Sequence, residues 1–362
     1  MRPHHANDVA PIAVVGQGGP VSTDDLSLAD RVRAPQVAPL PDESTGLVWR
    51  ALTAADIDAV TRLLDAVESA DEAPYRTSRE EVEERLEDES IDPAADTLGG
   101  FDGEGTLRAW ALVDQPAGDT NVVRAFLSGG VDPQWRGRGI GRQVLAWSVA
   151  RGRQRIVATG KQVPARIGVF AEDNAVATLA LLDAAGLTPI RYYTEMRRPL
   201  DGDLPASTGA AGIRVVPWSS DLDEQMRLAH NEAFASHWGS EPRTPAQWAA
   251  GRAMFAPTWS FAAIDEASGE VAGYLISGRY EQDWPVAGHT SGYTELLGVR
   301  PGWRSRGVAV DLLLAAMLAY RADGMQYAEL GVDTENPSGA HGLYARLGYV
   351  VFHGSQLWTF EL

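Results

Sequence analysis

The chain has no cysteine, and that absence removes disulfides, thiolate metal sites and a cysteine nucleophile together. Lysine is nearly missing too: Lys161 stands alone, and every other basic residue among the 31 is arginine. A phosphate loop of the Gly-Lys-Ser/Thr kind is therefore excluded at every glycine-rich turn. No apolar run approaches the ~20 residues that a membrane span requires. The start, Met1 to Pro20, lacks both the basic front and the long apolar centre of a secretory signal. These absences predict a cytoplasmic protein with no membrane partner. A formal charge of −18 repels phosphate backbones, so no nucleic-acid partner is expected either. His230, His237, His289, His341 and His353 show no metal-ligand spacing, and no metal is expected. No Gly-x-Ser-x-Gly elbow is present, which leaves a serine hydrolase of that type unsupported.

What the chain does have is one stretch written twice. Val131-Asp-Pro-Gln-Trp-Arg136-Gly137-Arg138-Gly139-Ile140-Gly141 returns as Val299-Arg-Pro-Gly-Trp-Arg304-Ser305-Arg306-Gly307-Val308-Ala309, with the valine, proline, tryptophan, both arginines and the following glycine in register. Each copy closes a strand-like run (Val122 to Leu127; Gly292 to Val299) and opens an apolar helical run (Ile140 to Val149; Val308 to Tyr320). A strand, a tight loop and a helix N-terminus make an anion cradle, because free N–H groups and the positive end of the helix dipole point at the loop. A phosphate-bearing ligand is the expected occupant. A dinucleotide fingerprint is excluded, since its third glycine falls on Arg142.

The 362 residues accommodate two such units of about 150 residues each. Residues 1–44, rich in Pro, Gly, Asp and Ser, read as an extended or disordered leader; 45–200 form the first unit, 201–212 a linker and 213–362 the second unit. Both units repeat one order. A strand and a helix come first, then a helix opened by a capping box (Ser78 to Glu81; Thr244 to Gln247) and a hairpin around glycine (Gly103 to Gly105; Ser268-Gly269). The loop-feeding strand, the loop helix, a strand (166–170; 327–332), a helix (174–185; 336–347) and a last strand (190–196; 356–362) complete it. The class is α+β, each unit a mixed, mostly antiparallel sheet flanked by helices. Trp238, Trp248, Trp259 and Trp284 are candidates to line an acceptor pocket, although core or interface is the commoner place for tryptophan.

At Arg-x-x-Gly-x-Gly/Ala after a Val-x-Pro strand end, the chain resembles the GNAT superfamily of acetyl-CoA-dependent N-acetyltransferases. The resemblance implies that acetyl-CoA is the co-substrate. Its pyrophosphate is then held at Arg304, Ser305, Arg306, Gly307, Val308 and Ala309, and its pantetheine runs along the preceding strand. Backbone N–H groups around Leu297, Gly298 and Val299 polarise the thioester carbonyl. The first copy, at Val131, Arg136, Gly137, Arg138, Gly139, Ile140 and Gly141, is expected to keep the binding loop alone. Asn174 precedes Gly186 by the same spacing as Asn336 precedes Gly348, and in that register Tyr344 stands where the first unit has Leu182. A tyrosine there implies the acid that protonates the departing thiolate. In the register of the two loops Glu295 matches Leu127. An acceptor amine must lose a proton before it attacks, and Glu295 is the candidate base.

The expected activity is transfer of an acetyl group to a primary amine of a small molecule, with chemistry in the second unit. The alternative is a non-catalytic acyl-CoA-binding sensor or scaffold. The stretches Ala185 to Leu200 and His230 to Trp238 further resemble the mycothiol synthase family, which implies a cysteinyl amine as acceptor; that family carries its strand carboxylate where Tyr293 stands here.

Overall fold

The structure is a computed structural model that describes residues 26–116, 118–207, 209–335 and 339–362. The first half runs α1 (Leu28–Val32), β1 (Val48–Arg50), α2 (Ile57–Ala70), α3 (Arg79–Leu86), α4 (Pro93–Asp96), β2 (Thr97–Phe101), β3 (Leu107–Asp114), β4 (Val123–Val131), α5 (Ile140–Ala158), β5 (Ala165–Glu172), α6 (Val176–Ala184) and β6 (Thr188–Pro199). The second runs β7 (Ile213–Pro217), α7 (Ser220–Phe234), α8 (Pro245–Ala249), β8 (Phe261–Asp265), β9 (Val271–Gly278), α9 (Trp284–Ala287), β10 (Ser291–Val299), α10 (Val308–Ala322), β11 (Tyr327–Asp333), α11 (Ala340–Arg346) and β12 (Val350–Glu361). Both capping boxes form as their residues dictate: Ser78 with Glu81 opens α3, and Thr244 with Gln247 opens α8.

The two α+β halves are joined into one twelve-stranded sheet of order β1-β2-β3-β4-β5-β12-β6-β11-β10-β9-β8-β7. Among the described residues only β4–β5 and β10–β11 are parallel pairs. At the centre the halves exchange their last strands. β12 of the second half lies beside β5 of the first, β6 of the first lies beside β11 of the second, and β6 and β12 pair with each other. Both strands are 12 residues long, longer than the 190–196 and 356–362 that the pattern gives. Pro189, Arg197, Arg198 and Pro199 in β6, and His353-Gly354-Ser355 in β12, hide the added length in the sequence, while the exchange supplies backbone partners on both edges.

Each core is completed by the other half's strand. Met196 and Leu200, both 1% exposed and carried on or beside β6, pack in the second-half core with Leu312, Leu313, Met317 and Tyr320. Trp358 of β12 is buried with Ala171, Leu182 and Leu187 of the first half. Burial of a side chain like Met196 stabilises by about 1.5–3 kcal/mol, which ties the halves together.

The leader expectation is corrected over residues 26–44. Ser27 caps α1, Leu28 and Val32 sit one helical turn apart in the first-half core, and Arg31 donates to the carbonyls of Val163 and Leu362. Two apolar residues are too short a pattern to register as a helix, but the core they reach is deep enough to hold it. Residues 1–25 lie outside the described residues. The 201–212 linker is tethered to α10, since Ser207 Oγ and Ala210 N–H both bond to the Asp311 carboxylate.

Candidate active site

Both loops adopt the cradle that the sequence calls for. β4 leads through Pro133–Trp135 to Gly137 and Gly139, at φ 76° and 80°; β10 leads through Pro301–Trp303 to Ser305 and Gly307, at φ 60° and 87°. The left-handed conformation is thus a property of the loop and not of glycine, because Ser305 adopts it at a cost of roughly 1–2 kcal/mol. Gly139 and Gly307 are the N-caps of α5 and α10, and neither helix has a side-chain cap. The first-turn N–H groups of both helices therefore stay open toward the loop. Ile140 and Val308, each 1% exposed, anchor the helices in the two cores and offer the loops only their backbone. A side-chain carbon at Gly141 would meet Leu181 at 3.4 Å, an ordinary contact, which accords with alanine at position 309.

The four loop arginines divide by order. Arg136 grips Asp71 at the end of α2 with two bonds of 2.6 and 2.9 Å, and Arg304 donates to the Ala233 carbonyl in α7 at 2.7 Å. Each also bonds back to its strand, at the carbonyls of Val131 and Val299. These first arginines fasten the loop, where the sequence counted them as phosphate ligands. The second arginines face outward. Arg138 lies over the Trp135 ring at 4.4 Å, and the Arg306 side chain has no protein partner among the described residues.

Behind each loop the parallel strands part. β4 leaves β5 after the Phe126–Gly168 pair, and β10 leaves β11 after Thr294–Leu330. The halves differ at the next residue. β10 has a bulge between Thr294 and Leu296, so Glu295 is an extra residue against β9; β4 runs in unbroken register against β3, with Leu127 directly opposite Val113 and 5% exposed. Beyond the parting, Leu297, Gly298 and Val299 pair only with β9, leaving their other edge open to the gap.

Glu295 faces a cavity of about 860 Å³ built from both halves. Glu81, Arg85, Trp110 and Asp114 line it from the first half, and His237, Trp238, Arg243, Trp248 and Tyr280 from the second. The Glu295 side chain is accessible from this cavity yet walled in by protein, and that burial raises its carboxyl above the usual range; a hydrogen bond from the Tyr280 hydroxyl and the Arg243 charge oppose the rise. A carboxylate of raised basicity in a water-accessible cleft is suited to take a proton. Tyr280 and Arg243 escaped the sequence reading because they lie in segments with no periodic pattern.

Tyr344 lies on α11 and is 8% exposed, its ring 5.9 Å from that of Tyr349, and burial pushes its phenol up to about 12. It packs in the second-half core and is not part of the cavity wall, so Glu295 and Tyr344 do not meet directly. Leu182 is buried at the matching place of the first half. Asn336 lies outside the described residues. Of the tryptophans, Trp238 and Trp248 line the cavity, while Trp259 is buried against Asp323 and Trp284 donates to the Ser291 carbonyl. Among the described residues no group of three His, Cys, Asp or Glu could hold a metal, and no helix is long and apolar enough to cross a membrane.

The pattern of the acetyltransferase (GNAT) family matches residues 224–349. The mycothiol acetyltransferase of Tsukamurella paurometabola is 32% identical over 253 residues, covering 66% of this chain and 77% of that protein. The one from Streptomyces avermitilis is 29% identical over 320 residues, 86% and 94% of the two chains. Among solved structures, a GCN5-related N-acetyltransferase from Sphaerobacter thermophilus superposes with a TM-score of 0.67 at 27% identity, covering 89% of this chain and 97% of that one. A tandem GNAT protein from the clavulanic acid biosynthesis pathway shares the fold, with a TM-score of 0.61 at 19% identity over 87% and 98% of the two chains. With open helix ends behind paired left-handed loops, and strands that part at the same place in both halves, the chain belongs to the GNAT superfamily of acetyl-CoA-dependent acetyltransferases and is related to the actinobacterial mycothiol acetyltransferases.

Proposed function

We propose that the second half transfers an acetyl group to a primary amine of a small molecule bound in the cavity between the halves. The observation that carries this reading is the bulge at Glu295, which turns a carboxylate into the cavity at the point where β10 leaves β11. The residues around the gap fit acetyl-CoA. The open N-terminus of α10 and Arg306, which has no partner among the described residues, suit its pyrophosphate, and the free edge of β10 at 297–299 suits its pantetheine. Bound there, it supplies an activated thioester. Glu295 takes the proton that the amine gives up, N–H groups at the free edge steady the charge on the carbonyl oxygen, and Tyr344 returns a proton to the departing sulfur. The first half has the loop and the gap but neither bulge, carboxylate nor tyrosine, which supports a catalytically silent domain spanning 45–200 beside a catalytic one spanning 213–362.

The relatives named for mycothiol favour a cysteinyl amine as acceptor, and S-methylcysteinamide is the first probe to try. The direct test is calorimetric titration with acetyl-CoA of the wild type, Gly139→Glu and Gly307→Glu, paired with thiol release in the presence of that amine. The reading expects binding lost in Gly307→Glu, and thiol release that depends on the amine. Wild-type binding without amine-dependent release from any of a panel of primary amines supports the sensor reading instead, and no binding at all sinks both.

A further inference from the structure

The exchanged strand brings a first-half carboxylate to the second-half gap. Gly331 is the first residue of β11 beyond its last pair with β10. A side-chain carbon there would stand 2.7 Å from Glu195 Oε1 and 2.9 Å from Tyr293 Oη, so the space over Gly331 already belongs to those two groups. They form a pair: the Tyr293 hydroxyl donates to Glu195 Oε2 at 3.0 Å. Glu195 reaches this place only because β6 pairs with β11, where Glu195 stands opposite Gly331. On its other side the Tyr293 ring meets the Tyr280 ring edge-on, centroids 5.8 Å apart, and Tyr280 holds Glu295. Two hydroxyl–carboxylate pairs therefore stand side by side where β10 leaves β11: Tyr280 and Glu295 line the cavity, and Tyr293 and Glu195 stand next to them behind its wall. One lies wholly within the second half; the first half completes the other.

We propose that Glu195 is a positioning residue for acetyl transfer in the second half, setting which way the Tyr293 hydroxyl points toward the incoming amine. The inference rests on the reaction proposed above. An ionised carboxylate only accepts hydrogen bonds, so the Tyr293 proton is committed to it and the phenol oxygen offers its lone pairs to the amine. An amine N–H then donates to Tyr293, and the nitrogen lone pair remains free for the thioester. A protonated Glu195 donates to the phenol oxygen instead. The Tyr293 proton turns outward and occupies the lone pair that has to attack.

The groups facing Glu195 place this change in a working pH range. Burial pushes its carboxyl up to about 7; the Tyr293 hydrogen bond from β10 opposes the rise, Glu172 on β5 and Glu329 on β11 add to it, and His353 on β12 draws it down. Glutamine at 195 keeps the size but both donates and accepts at any pH, so it removes the dependence on protonation.

The test is the rate of thiol release from acetyl-CoA with S-methylcysteinamide, expressed as the ratio of wild type to Glu195→Gln at each pH, so that the ionisation of the amine itself cancels. The ratio is expected to be close to one below about pH 6 and to reach roughly tenfold at about pH 8. Acetyl-CoA affinity by calorimetry stays at the wild-type value. In a Tyr293→Phe background the same substitution changes the rate by less than about twofold, because the two residues act as one unit. A ratio that does not vary with pH overturns the inference, and so does a full Glu195→Gln effect that persists without the Tyr293 hydroxyl. A wild type that releases no thiol above the amine-free rate overturns the proposed reaction, and this inference with it.

Discussion

Alanine at Gly278 moves the candidate base without changing its chemistry. A side-chain carbon at Gly278 would stand 2.5 Å from Glu295 Oε1 and 2.6 Å from Tyr280 Cε2. Unstrained contacts begin near ~3.5 Å, so the carboxylate has to retreat by about 1 Å and the Tyr280 ring with it. The backbone tolerates the change, because Gly278 pairs regularly with Tyr293 and is not among the left-handed glycines. Alanine also restricts the unfolded chain, which favours folding slightly. A misplacement of about 1 Å at a reacting group costs on the order of a hundredfold in rate. That equals about 2.7 kcal/mol on the barrier. The assay is kcat for acetyl transfer to S-methylcysteinamide, with calorimetric acetyl-CoA affinity and thermal unfolding measured on the same samples. Gly278→Ala should bind acetyl-CoA and melt like the wild type, and should turn over between the wild type and Glu295→Gln. A Gly278→Ala protein with undiminished kcat would refute Glu295 as the base.

Met196→Ala, a change in the first half, should remove about 2–5 kcal/mol from a melting transition shared by both halves. Two separate transitions, only one of them shifted, would contradict cores completed by exchanged strands. The pH dependence of stability follows from Glu195 and Asp283, whose carboxyls burial holds up to about 7. Both pKa values are raised on folding, so between the ordinary carboxylate range and about 7 the folded state binds more protons than the unfolded, and stability falls as pH rises through that window. The shifts set a ceiling on the fall of ~3 kcal/mol for Glu195 and ~4 kcal/mol for Asp283. Denaturant melts at the two ends of the window should differ in this sense, and Asp283→Asn should reduce the difference; an unchanged midpoint would refute the assignment.

Much of the candidate site was legible because its signals are local. Gly139 and Gly307 mark left-handed N-caps, and the capping boxes at Ser78 and Thr244 mark helix starts. The arginines illustrate the limit. Position in the loop identifies all four, but whether a guanidinium grips a ligand or its own protein depends on what the fold sets beside it. Asp71 and the Ala233 carbonyl, far away in the chain, claimed Arg136 and Arg304.

The sequence by itself determined the two-copy plan, the cradle in each copy and the half that carries Glu295 and Tyr344, because residue type and short-range spacing suffice for these. Tertiary structure alone decided that β6 and β12 trade places. A strand's own residues specify that it will pair but not which edge accepts it, and the backbone groups are satisfied on either neighbour. The bulge that turns Glu295 into the cavity, the walls of that cavity and the delivery of Glu195 to Tyr293 all follow from pairings between distant segments. The cavity walls and the Glu195–Tyr293 pair join segments from different halves, and even the bulge depends on the register that β9 and β10 adopt, which no local pattern fixes.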